Sequence, residues 1–262
     1  MDSVLTDKYE LYHGDCLDVM QSLPEHSIDM ILCDLPYQMT GCKWDTIIPF
    51  DKLWESYKRV CKKNAAICLF GSMPFSALLV SSNFKAYKHD WMWYKNAGSN
   101  FGCVKYQPMR EHESVFVFCY GKPIYNPIMQ ERAESGWKHQ SKPIMSNVCC
   151  TDKDQYGGIK TNKVSKHISN MRYPSSVQRF SRERGLHPTQ KPVALCEYLI
   201  KTYSNENDVV LDNCMGSGST GIACLNTNRN FIGIELDDKY FEVAKNRIET
   251  HSYQKNLFQE NK

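Results

Sequence analysis

The chain has 262 residues, 42% hydrophobic and 23% charged, an ordinary globular composition with length for one large domain or one domain carrying an inserted lobe. No run is apolar and long enough to span a bilayer, and the first ten residues carry charges without an apolar core, which argues against a signal peptide. The net charge of +3 is uneven: residues 121–186 hold 12 Lys and Arg against 5 Asp and Glu, a net +7, which leaves −4 on the remainder.

Taken in order, Tyr9 to His13 reads as a strand, followed by Gly14 and Asp15 and a helix with Leu17, Met20 and Leu23 on one face. Ile28 to Cys33 is a continuous apolar run, hence a buried strand, and it ends in Asp34-Leu35-Pro36-Tyr37. Pro36 fixes its own φ and pushes Leu35 toward an extended conformation. The Asp34 carboxylate and the Leu35 carbonyl can then face one cavity, with Tyr37 as its wall. Two acceptors beside an aromatic plate suit an exocyclic amino group on a flat ring.

A helix is expected from Asp51, a strand from Asn64 to Phe70, a turn at Gly71 to Pro74, and strands at Ala86 to Lys95 and Ser114 to Tyr120. The stretch between the last two, with Gly98, Gly102 and Pro108, reads as an irregular loop at the site. From residue 121 to 185 the periodicity fails. This basic segment is either an inserted lobe or a set of loops, and its charge points to a polyanion. Order resumes after His187-Pro188-Thr189-Gln190-Lys191-Pro192 with a helix, a buried strand at Val209 to Asp212, a glycine loop, a helix from Thr220, a strand from Phe231 to Glu235 and a helix from Asp238 to Glu249. The last dozen residues read as a frayed tail. Strands alternating with helices predict an α/β fold with a mostly parallel sheet. The 12 cysteines include no Cys-x-x-Cys, and most stand in apolar runs, so they read as small buried hydrophobes with no metal role.

Gly216-Ser217-Gly218-Ser219-Thr220-Gly221 fits a glycine-rich turn between strand and helix, and Glu235 ends the next strand, where a carboxylate can hold two ribose hydroxyls. A dinucleotide is the rival ligand. Asp212 before the loop opposes a pyrophosphate, and only 27 residues follow Glu235, too few for a second nucleotide-binding half unless the chain is permuted. A nucleoside with a cationic tail suits Asp212 and Glu235 better, and S-adenosylmethionine has that form.

Asp34-Leu35-Pro36-Tyr37 resembles the catalytic Asp-Pro-Pro-Tyr motif of S-adenosylmethionine-dependent DNA amino-methyltransferases. Residues 211–220 resemble that family's cofactor loop, and residues 187–192 the segment before it. The motif order, catalytic first and glycine loop last with a variable region between, is that of the β class. The match covers residues 9–120 and 172–249. Leu35 stands where the family usually has Pro, and Asn213 and Cys214 where it has Pro and Phe. The resemblance implies a Rossmann-like three-layer fold with a mostly parallel seven-stranded sheet and circularly permuted motifs. Its catalytic half is residues 1–120, a target-recognition insertion 121–186, a cofactor half 187–250 and a tail 251–262.

The reaction it implies is methyl transfer to N6 of adenine in duplex DNA after base flipping, in a bacterial or phage-infected cytoplasm, within a restriction-modification setting. N4 of cytosine, or a non-catalytic DNA-binding module, stay as alternatives, and a homodimer is allowed. By the same resemblance Asp34, Leu35, Pro36 and Tyr37 are catalytic. Asp15 and Cys16 lie near the cofactor adenine. Asp212, Gly216 and Gly218 cradle its methionine side, Glu235 holds the ribose, and Thr189 and Lys191 contact the tail. His112 and Glu113 are a family pair with a structural role. Lys160, Lys163, Lys166, Arg172 and Arg179 are the expected DNA contacts. No metal and no membrane are implied.

Overall fold

The computed structural model describes residues 2–38, 46–132, 170–183, 185 and 190–260. Strand β3 (Ile28–Cys33), buried at every position, lies near the middle of a sheet of nine strands among the described residues. Beside it run β10 (Val209–Asp212) and β4 (Cys61–Gly71), both parallel to it. Beyond β10 come β11 (Asn230–Glu235) and β2 (Tyr9–His13), again parallel, and the short antiparallel edge strand β1 (Ser3–Leu5). Beyond β4 come β6 (Arg110–Phe118) and β5 (Tyr87–Ser99), an antiparallel pair, then β9 (Val177–Arg179) parallel to β5. The two short edge strands β1 and β9 raise the expected seven to nine. The described residues split into two compact units, Met1–Asn126 with Ser176–Lys262, and Pro127–Ser175. In the second unit β7 (Gln130–Glu131) pairs antiparallel with β8 (Met171–Arg172).

Period-two alternation divides the core into two layers. Met30 and Leu32 of β3, Val210 of β10 and Ala66, Cys68 and Phe70 of β4 face one side. There they meet helices α4 (Val193–Tyr203), α5 (Ser219–Asn226) and α6 (Asp238–Glu260) through Leu199, Ile222 and Ile248. Ile31, Cys33, Leu211, Ile67 and Leu69 face the other, against α1 (Cys16–Ser22), α2 (Phe50–Val60) and α3 (Phe75–Ser82) through Met20, Tyr57 and Leu79. Each such aliphatic side chain contributes about 1.5–3 kcal/mol by leaving water.

Two expectations need correction. The stretch from Asn96 to Glu113 is not all loop: β5 runs on to Ser99 and β6 begins at Arg110. A register shift between Tyr94 and Ser99, and left-handed Asn96 and Asn100, absorb the irregularity that the glycines and proline announced. Helix α6 also continues past Glu249 to Glu260. Its later turns are tied to the end of α5: Lys255 Nζ donates to the Leu225 carbonyl and, at 3.0 Å, to Asn228 Oδ1, and the His251 ring bonds Asn226 Oδ1 at 2.7 Å.

Candidate active site

The sheet order places the sequence motifs side by side. Leu211 lies opposite Ile31, so Asp34 and Asp212 emerge at the same carboxyl edge on neighbouring strands. Asp212 pairs with Gly233, which brings Glu235 next in line, and Glu235 pairs with His13, which brings Gly14, Asp15 and Cys16 after it. On the other flank Cys33 pairs with Leu69, Gly71 with Ser114 and Trp93 with Glu113, so the start of β6 delivers Glu113 to that edge. Ligands of open α/β sheets bind at this edge.

A cavity of about 420 Å³ opens there, within the usual range for small-molecule sites. Its lining includes Asp15, Cys16, Asp34, Leu35, Pro36, Tyr37, Glu113, Lys191, Asp212, Gly216 and Glu235. Gly218 is not in the lining; it begins α5 at φ +77°, and a Cβ there would stand 3.1 Å from Ile248 Cδ1, so its place is in helix packing. Thr189, Lys160, Lys163 and Lys166 lie outside the described residues. Arg172 is on β8 of the second unit. Arg179, on β9, stacks its guanidinium 5.1 Å from the centre of the Tyr94 ring. Thr46, Ile47 and Ile48 also line the cavity and carry no motif that could have announced them.

One end of the cavity is acidic and suited to a cation. Asp212 is buried, and burial pushes its carboxyl up to about 7 although the Thr220 hydroxyl and the Cys214 amide both donate to it. Glu235 accepts three amides: Gly216 at 2.8 Å on Oε2, and Leu236 at 3.0 Å and Asp237 at 2.9 Å on Oε1. These fix the carboxylate and leave acceptor capacity toward the cavity, while burial raises its pKa. Gly216 sits at φ +52°, a conformation that favours glycine. Asp15 caps α1 by accepting from the Leu17 amide at 2.8 Å. The Cys16 and Cys214 thiols, both free, are hydrogen-bonded to one another, which with burial raises the pKa of Cys16, so it faces the cavity uncharged.

At the other end an ion network surrounds Asp34. Its Oδ1 accepts from the Tyr37 hydroxyl at 2.5 Å, and the Tyr37 ring stacks on Phe75 with centroids 4.6 Å apart. Its Oδ2 contacts the Lys191 ammonium, which also stands 3.5 Å from Glu113 Oε2 and 5.0 Å from the centre of the Phe70 ring. Glu113 Oε1 contacts Lys95. Burial works against the Lys191 charge, but Asp34 and Glu113 outweigh it and hold the ammonium above its ordinary pKa. The expectation of Lys191 at a cofactor tail therefore meets an ammonium engaged by two carboxylates. Glu113, expected to be structural, is a wall of the cavity. Among the described residues no cluster of His, Cys, Asp or Glu could hold a metal, and no helix is long and apolar enough to cross a membrane.

A family model described as DNA methylase matches residues 28–246. Relatives include the type II methyltransferase M.HpaI of Haemophilus parainfluenzae, 28% identical over 90% of this chain and 73% of that protein. The DNA adenine methyltransferase YhdJ of Escherichia coli (strain K12) is 28% identical over 93% and 83%. Among solved structures, the M1.HpyAVI–SAM complex shares the fold with a TM-score of 0.60 at 24% identity, covering 91% of this chain and 99% of that one. The PvuII DNA methyltransferase, cytosine-N4-specific, shares it at 0.65 and 14% identity, over 95% and 93%.

Proposed function

Because the chain belongs to the DNA methylase family, we propose that it transfers a methyl group from S-adenosylmethionine to the exocyclic N6 of adenine at specific sites in DNA. The observation that carries this reading is one cavity with two ends: Asp34, Leu35, Pro36 and Tyr37 at one, Asp212, Gly216 and Glu235 at the other. The acidic end fits the cofactor. Glu235 has the acceptors for ribose hydroxyls, and a buried carboxylate held near neutrality at Asp212 gains from a cationic ligand. Asp15 and Cys16 line the wall where the adenine ring would lie. When bound, S-adenosylmethionine supplies a methyl group activated by its sulfonium.

The chain's own part is to make a poor nucleophile attack. The lone pair of an adenine amino group is delocalised into its ring. Asp34 and the Leu35 carbonyl accept its two N–H bonds, which turns the amino group out of plane and frees the lone pair. Positive charge grows on that nitrogen as it reacts, and the Asp34 carboxylate stabilises it where it develops. The target base must leave the duplex to reach Asp34, and the Tyr37 ring, backed by Phe75, receives its face. Residues 121–186, the basic segment, serve as the target-recognition region. There Lys160, Lys163, Lys166, Arg172 and, beside them in sequence, Arg179 meet phosphates or base edges. The bacterial relatives named type II methyltransferases support a modification role on cytoplasmic DNA.

The test is transfer of tritiated methyl to unmodified DNA, followed by sequencing that distinguishes modified bases. N6-methyladenine within one short recurring sequence is the expected product. Label confined to N4 of cytosine would overturn the choice of base, and no label on any DNA would overturn the reaction.

A further inference from the structure

Glu113 has no task in the reaction just described, yet it stands half-buried in the cavity wall beside the catalytic carboxylate. Its two oxygens differ. Oε1 holds Lys95 closely, whereas Oε2 is shielded from solvent and has the Lys191 ammonium 3.5 Å away with no donor at close hydrogen-bond distance. Leaving a buried carboxylate oxygen without a donor is costly unless a donor reaches it at some stage. The Lys191 ammonium, 3.5 Å away, in this state rests on Asp34. Lys191 thus stands between two anionic oxygens, in close contact with one and 3.5 Å from the other.

The reaction gives that arrangement a purpose. Asp34 must stabilise positive charge on the target nitrogen, but an ammonium in contact with Asp34 cancels much of its field and repels the developing cation. We infer that Glu113 is a positioning residue whose Oε2 is a second seat for Lys191, onto which the ammonium closes when the target amino group enters. The inference rests on the methyl-transfer reading of the site. The move is short, since closing from 3.5 Å to a hydrogen bond takes roughly half an ångström. Phe70 lies beneath the ammonium in the resting position. The seat stays ionised: burial opposes its charge, but Lys191 and Lys95 hold the Glu113 carboxyl below its ordinary value. With Lys191 drawn onto Glu113, Asp34 keeps the Tyr37 bond and gives up its closest contact with the ammonium, so more of its charge is left for the substrate.

Two experiments test this. In a crystal structure of Asp34→Asn, a neutral amide no longer holds the ammonium, so Lys191 Nζ is expected within about 3 Å of Glu113 Oε2. Lys191 remaining against the side chain at position 34, with Oε2 still unbonded, overturns the proposal. In single-turnover methyl transfer, Glu113→Gln should lose about tenfold or more in rate at saturating DNA and cofactor, with affinity for S-adenosylhomocysteine and DNA near wild type. Glu113→Asp, which keeps the charge, should recover part of the loss. A wild-type rate in Glu113→Gln, or a loss that appears only in binding, contradicts the second seat. If Glu113→Gln does not fold, the Asp34→Asn structure still decides. A wild-type chain that methylates no DNA removes the reaction reading, while the position of Lys191 in Asp34→Asn reports on the seat separately.

Discussion

Asp212→Asn should make the cofactor-free protein more stable at alkaline pH while weakening the cofactor site. In the folded chain burial raises the Asp212 carboxyl from an ordinary 3.8 to about 7. The folded state therefore keeps a proton that the unfolded state has lost between about pH 4 and pH 7, and stability falls as pH rises through that window. About three pKa units set a ceiling of roughly 4 kcal/mol. Relaxation of the surroundings reduces this, and about 2 kcal/mol, or roughly 4–8 °C in melting temperature for a chain of this size, is expected at pH 8. The asparagine keeps an acceptor for the Cys214 amide and the Thr220 hydroxyl but has no proton to lose. Thermal melts of wild type and variant should coincide near pH 4 and separate by pH 8, with the variant higher. Subtracting one curve from the other removes every other titrating group. S-adenosylmethionine should narrow the gap, because its positive charge favours the wild-type carboxylate. A variant that melts at or below wild type at pH 8, or a gap independent of pH, would refute the reasoning.

Tyr37→Phe should keep the fold, because the ring still stacks on Phe75, but lower kcat about tenfold or more by removing the hydroxyl 2.5 Å from Asp34 Oδ1, worth about 1.5–3 kcal/mol for a bond to a charged group. Unchanged turnover would mean that the ring alone acts. Gly218→Ala should cost about 1–3 kcal/mol in urea unfolding, since the position has φ +77° and a Cβ would press on Ile248 at 3.1 Å; no loss would mean that the loop adapts freely. Replacing Lys160, Lys163 and Lys166 together with Ala should flatten the salt dependence of DNA affinity by about 0.9 log units per lost phosphate contact and leave cofactor affinity unchanged. An unaltered slope would remove the basic segment from the DNA interface.

The parts of the site that are consecutive in the chain were readable from it. An all-apolar run ending in Asp34-Leu35-Pro36-Tyr37 announces a buried strand with chemistry at its end, and the strand–glycine loop–helix at Asp212 to Asn226 announces a ligand turn. Side-chain partners were not readable, because sheet order decides them. Lys191 and Asp34 are 157 residues apart, and only the fold brings the segment before α4 to the end of β3. Glu113 faces the cavity because the antiparallel β6 starts at the edge where the parallel strands end. The ring face of Tyr37 can be read from the sequence, but the partner of its hydroxyl leaves no trace there. The last turns of α6 read as a tail in the sequence because polar residues such as Lys255 hide their docking, which includes hydrogen bonds to Leu225 and Asn228.

The central claim is that Asp34 acts on the transition state, where charge appears on the target nitrogen. Interactions made only there appear in turnover and not in binding. The decisive measurement is single-turnover methyl transfer by Asp34→Ala to DNA carrying the recognised site, with DNA and S-adenosylhomocysteine affinities measured on the same preparation. The account predicts a loss of roughly a hundredfold or more in rate with both affinities close to wild type. Methylation at the wild-type rate would contradict it and leave Asp34 as no more than a partner for Tyr37 and Lys191.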